Sequence, residues 1–134
     1  MEYRKNYLGF ILWLLLFFGL MIGGSLLPIE DEVLLTRLSL LMCSVLITAL
    51  TFMIFRSEYV YWYNGVSYEE AKQAGSERRR QYAWRHFVRF GWFTLFFALY
   101  ALLAQLTGLA FGWDIAVFVV GLLLCALSTL KIRL

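Results

Sequence analysis

Of the 134 residues, 62% are apolar and 16% are charged, and the formal net charge is +3. That is too apolar for an ordinary soluble domain, and the charges fall in short stretches between long apolar runs, as in a polytopic membrane protein. The spans and connectors use nearly the whole chain, which leaves no room for a separate soluble domain, and the basic residues lie where membrane orientation would put them, which argues against nucleic-acid binding.

The first span is expected at 7–26, preceded by Glu2, Arg4 and Lys5 and followed by Pro28. Twenty residues rising about 1.5 Å each give about 30 Å, enough to cross a bilayer core. Gly23 and Ser25 loosely fit a signal-peptidase pattern, but the apolar run is long for a signal peptide, so a retained span is expected. Gly19 and Gly23 form a Gly-x-x-x-Gly pair, read as a packing notch. The short connector ends in Glu30, Asp31 and Glu32, whose charges favour the start of a helix.

The second span is expected at 34–55. Arg37, Ser44, Thr48 and Thr51 lie on one face of it, a polar stripe that should face protein. Arg37 is five residues past Glu32, about 7.5 Å down the helix. A charge inside a span is a functional candidate by default. Arg37 either snorkels to the acidic connector Glu30–Glu32 or pairs with Asp114, or it holds an anionic substrate with Ser44, Thr48, Gln105 and Asp114 around it.

The connector 56–86 opens with Tyr59, Val60, Tyr61, Trp62 and Tyr63, read as an interfacial aromatic belt, and continues through an Asn64-Gly65 turn. Ser67 and Glu70 have capping-box spacing for a short amphipathic helix that stops at Gly75. Ser76 is expected to cap the next, long helix, which runs to Gly108 and contains the third span, 87–106. One seam of this helix carries Arg80, Trp84, Phe87, Gly91, Thr94, Ala98, Ala101, Gln105 and Gly108 and should pack against protein. Phe93, Phe96, Phe97, Tyr100 and Leu103 should face lipid. Arg78, Arg79, Arg80, Arg85, His86 and Arg89 are candidates for contact with lipid headgroups or a partner, with His86 an interfacial anchor on the lipid side.

The fourth span is expected at 113–130, with Asp114 at its head, Gly121 as a packing residue, and Lys131 and Arg133 after it. Eleven of the twelve basic residues then lie on one side, which makes both termini and the large connector cytoplasmic. The expected fold is an all-α integral membrane protein: a four-helix up-down-up-down transmembrane bundle, one polytopic domain over 1–134.

Cys43 and Cys125 sit in apolar runs without Cys-x-x-Cys spacing and are read as small buried residues. No nucleophile–base pair and no metal-ligand spacing is visible, so no catalytic residue, metal or cofactor is expected. Size and span number are similar to the small four-helix membrane enzymes that handle glutathione and eicosanoids. Glu77–Arg89 lacks their glutamate–arginine–asparagine pattern, and the first span lacks the glutamate of small multidrug transporters, so no family is assigned.

The expected function is non-enzymatic, through partners: an accessory subunit, an immunity-type protein or a homo-oligomer in a bacterial plasma membrane with anionic lipids. A small transporter or channel using Arg37 is the alternative, and a lipid-modifying enzyme using His86 and the arginines is a weaker one.

Overall fold

The computed structural model describes residues 2–63 and 65–134; Asn64, half of the expected turn, lies outside them. Among the described residues the chain is all-helical: α1 (Leu8–Ser25), α2 (Glu32–Ser57), a 3-10 turn (Val60–Trp62), α3 (Tyr68–Thr107) and α4 (Phe111–Thr129). All four α-helices are long and apolar enough to cross a membrane.

The helix ends follow from local chemistry. The Asp31 carboxylate accepts hydrogen bonds from the Val33 and Leu34 amides, each 3.0 Å, and starts α2. α2 stops at Glu58, which takes a left-handed conformation (φ 62°). Ser67 and Glu70 form the expected capping box. Gly75 (φ 78°, ψ 163°) breaks α3 into a short arm, 68–74, and a long arm, 76–107, as its freedom from a Cβ allows. Ser76 does not cap the long arm as expected; its hydroxyl donates to Glu58 Oε1 at 2.7 Å. Gly108 (φ 66°) ends α3 as a left-handed cap.

Helix pairing is read from side-chain contacts. Residues 9, 13 and 24 of α1 meet 53, 46 and 42 of α2. Along α2, residues 37, 44, 52 and 55 meet 105, 94, 87 and 84 of α3. Residues 89, 93, 97 and 100 of α3 meet 128, 121, 118 and 114 of α4. Each pair therefore runs in opposite directions. α2 touches all three other helices, whereas α1 is held chiefly by α2.

Two apolar cores result. One, Phe93, Phe97, Ala101 and Phe118, lies between α3 and α4. The other joins Ile54, Val60, Tyr61, Ala71, Tyr82, Ala83 and Ile132 at the connector end.

The first core corrects the reading of α3. Phe93 and Phe97 are buried, not lipid-facing, because α3 packs against α4 as well as α2 and so needs two contact stripes. Phe96 and Leu103 do lie exposed. Gly121 is the hole for Phe93: a Cβ there would come within 2.8 Å of the ring. Gly19, Gly23, Gly91 and Gly108 have open space where a Cβ would be, so none is a packing notch within this chain. Along the expected seam Thr94, Ala98 and Ala101 are at least half-buried, while Arg80, Trp84, Gln105 and Gly108 are exposed.

Candidate functional site

Arg37 lies in the second turn of α2, where the first turns of α4 and the last turns of α3 converge. It is 3% exposed, and Asp114 is fully buried. Arg37 Nε donates to both Asp114 carboxylate oxygens at 3.1 Å, Nη1 to Gln105 Oε1 at 2.7 Å, and Nη2 to the Leu109 carbonyl. The Tyr100 hydroxyl donates to Asp114 Oδ1 at 3.0 Å. One cation, one anion and three neutral partners form a closed set that ties α2, α3 and α4 together. A buried pair is tolerable only when its remaining valences are satisfied in this way. Of the two partners the sequence offered Arg37, the structure pairs it with Asp114, not with Glu30–Glu32; Gln105, expected only near a bound substrate, bonds the guanidinium directly, and Tyr100 was expected to face lipid.

Ser44 and Thr48 do not join this site. The Thr48 hydroxyl shares a 2.8 Å hydrogen bond with Thr94, and Thr94 also donates to the Ser44 carbonyl at 3.0 Å. The Ser44 hydroxyl turns back to the Leu41 carbonyl. Of the hydroxyls in the polar stripe, Thr48 alone bonds to α3, three turns from Arg37; those of Ser44 and Thr51 turn back to carbonyls of α2.

The connector end holds a second arginine–carboxylate pair. Arg79 donates from Nε (3.2 Å) and Nη2 (2.9 Å) to Glu58 Oε2, and from Nη1 to the Ala71 carbonyl at 3.0 Å. Its guanidinium lies 4.0 Å from the centre of the Tyr3 ring, a cation–π contact. Tyr3 stacks on Tyr68 at 5.6 Å and donates to the Glu58 carbonyl at 2.8 Å. The Asn6 carbonyl accepts from Tyr61 and Trp62, at 2.8 and 2.9 Å. The segment before α1 is therefore strapped onto the connector. Tyr61 is buried and Val60 fully so, which makes this cluster a small core rather than the expected open belt. Burial raises the hydroxyl pKa of Tyr3 and Tyr61 above the tyrosine range.

His86, just before the third span, is also buried, against the expectation of a lipid-side anchor. It lies 4.3 Å from the Tyr63 ring and 4.4 Å from the Tyr82 ring, and its Nδ1–H donates to the Tyr82 carbonyl at 2.9 Å. Burial pushes its pKa down; the Tyr82 carbonyl opposes this and the Arg89 charge adds to it. The Tyr63 hydroxyl beside it is buried with no hydrogen-bond partner among the described residues, and burial raises its pKa.

The six basic candidates thus divide. Arg79 and His86 are buried, Arg89 is half-buried and donates to the Ser128 carbonyl, and Arg78, Arg80 and Arg85 are exposed. Sequence reasoning missed Glu58, Tyr3 and Tyr100. The density of tyrosine in 3–7 and 59–68 was the available signal for the strap. Among the described residues, no group of three His, Cys, Asp or Glu is placed to hold a metal ion.

Fold and site together define a class, an all-helical protein with four helices able to cross a membrane and a sealed ion pair among three of them. Searches against protein-family models, curated proteins and solved structures find no match that would narrow it.

Proposed function

We propose that this chain is an integral membrane protein of the bacterial plasma membrane that works without catalysis, by associating with a partner or with copies of itself. Its helices would form an up-down-up-down bundle with both termini and the large connector in the cytoplasm. Support for that orientation is the charge count, since eleven of twelve basic residues fall at one end of the helix pairs.

One observation carries the association reading. Trp13 is the one buried residue of α1, and Gly19 and Gly23 lie on an exposed part of it with nothing near them. A helix-interior glycine costs about 1 kcal/mol against alanine and gains nothing from lipid. Two of them, one turn apart, fit a close backbone contact with another chain.

Extraction in native lipid followed by native mass spectrometry tests this. A stoichiometric second polypeptide or a defined homo-oligomer is expected, and Gly19→Leu with Gly23→Leu should dissociate it. A bare monomer from both proteins would refute the proposal. The transport alternative draws less support, because Arg37 would first have to leave Asp114, Gln105 and the Leu109 carbonyl. An enzymatic role for His86 is weakened by its burial between two tyrosines.

A further inference from the structure

Where α3 meets α4 at the connector end, two depressions lie one above the other. The lower is an apolar groove of about 400 Å³, with Arg89 at its top and Trp92, Phe96, Gly121 and Leu124 along it. The upper is a polar cavity of about 200 Å³ between Arg78, Gln81, Arg85 and Arg133. It adjoins a larger cavity of about 640 Å³ that shares Arg78 and Arg133 and has Leu130 and Ile132 in its wall. Arg85 and Arg89, one helical turn apart, link the polar and apolar parts.

Among the described residues the arginines there are not held in ion pairs, although Leu134 also borders both polar cavities. Arg78, Arg85 and Arg133 are exposed and take part in none of the ion pairs found among the described residues. Glu70 borders the larger cavity, its Oε2 accepting from the Ser67 amide and hydroxyl, and does not line the smaller one. Three guanidinium groups around one small cavity suit a phosphate, which arginine can bind with paired donors. The apolar groove below selects among phosphates. From Arg85 to Phe96 is eleven residues, or about 16 Å of helix, close to the depth of one leaflet of a bilayer core about 30 Å thick.

We propose that this pair of depressions is a site for one anionic glycerophospholipid, its phosphate against Arg85, Arg133 and Arg78 and an acyl chain laid along Trp92, Phe96 and Leu124. Basic pockets beside transmembrane helices on the cytoplasmic side hold anionic headgroups in this way. The site rests on the membrane-embedded reading above, with the connector end at the headgroup level.

The test reconstitutes the full chain in mixed vesicles of phosphatidylglycerol and phosphatidylcholine, extracts it gently, and counts retained lipids by native mass spectrometry. Arg85→Gln with Arg133→Gln should reduce the preference for phosphatidylglycerol about thirty-fold, while Arg4→Gln with Lys5→Gln, the same loss of charge elsewhere, leaves it unchanged. Leu124→Trp, at a side chain 63% exposed and so tolerant of replacement, should fill the groove and reduce retention of both lipids. Equal losses in the two arginine and lysine pairs, or no loss in either, would overturn the site. Full retention by Leu124→Trp would overturn the acyl-chain half and leave an anion site only. Release of the wild-type protein from vesicles by alkaline carbonate would instead defeat the membrane reading itself.

Discussion

The molecule uses the same chemical pair at its two ends for different purposes. Arg37–Asp114 is dry, with side chains 4% and 0% exposed, and its remaining partners come from two further residues and a carbonyl. Arg79–Glu58 lies at a wet margin, with Glu58 at 22%, and is backed by an aromatic face rather than sealed. The first joins three long helices. The second joins the segment before α1, the end of α2 and both arms of α3. What a pair contributes is set by its surroundings: breaking a sealed pair strands a charge, whereas breaking a marginal one lets water in.

Arg37→Ala strikes the sealed pair directly. It should cost about 3–5 kcal/mol by leaving Asp114 buried and uncompensated, read as a lower unfolding midpoint in detergent. Arg37→Met with Asp114→Leu should recover most of the loss, since an apolar pair of similar volume needs no solvation. If the double variant is as unstable as the single, the network does more than compensate its own burial.

Arg79→Ala should cost less, about 2 kcal/mol, from its charged hydrogen bonds and the Tyr3 contact. The loss should appear as faster proteolysis and amide exchange in 2–7, with the helix packing of α3 on α4 unchanged. A global loss as large as that of Arg37→Ala would erase the distinction between the ends.

Between them, Thr94→Val removes the hydroxyl that serves Thr48 and the Ser44 carbonyl. About 0.6 kcal/mol is expected, the usual worth of a hydrogen bond between membrane helices, measured by the same unfolding titration.

The smallest effect is a pH dependence at the connector. The Ser67 amide and hydroxyl hold Glu70 below the ordinary carboxylate range. Its folded pKa is thus lower than its unfolded one, so the capping contribution is present above the unfolded value and is lost as pH falls through the folded one. Amide exchange in 68–74 should accelerate over that acid window in the wild type and show no such step in Glu70→Gln.

Proposals and structure meet most closely where a local rule applies. The helix ends at Asp31, Ser67–Glu70, Gly75 and Gly108 were legible because capping and left-handed turns depend on a few neighbouring residues. Arg37 was legible as an anomaly, an ionised group in an apolar run, but the sequence left its partner open between Glu30–Glu32 and Asp114, and the packing of α4 on α2 and α3 chose the latter. The two faces of α3 were not legible. Phe93 and Phe97 look the same in sequence as Phe96, yet two are buried and one is exposed.

Four apolar helices and several of their caps follow from the chain alone, because length, hydropathy and capping are properties of short stretches of it. Tertiary structure alone decided that α3 buries two stripes, that Gly121 receives Phe93 while Gly19 and Gly23 receive nothing, and that Arg79 turns inward to Glu58 while Arg78 and Arg85 stay open. Those outcomes depend on which neighbour occupies each side of a helix, and a repeat of 3.6 residues per turn does not carry that information.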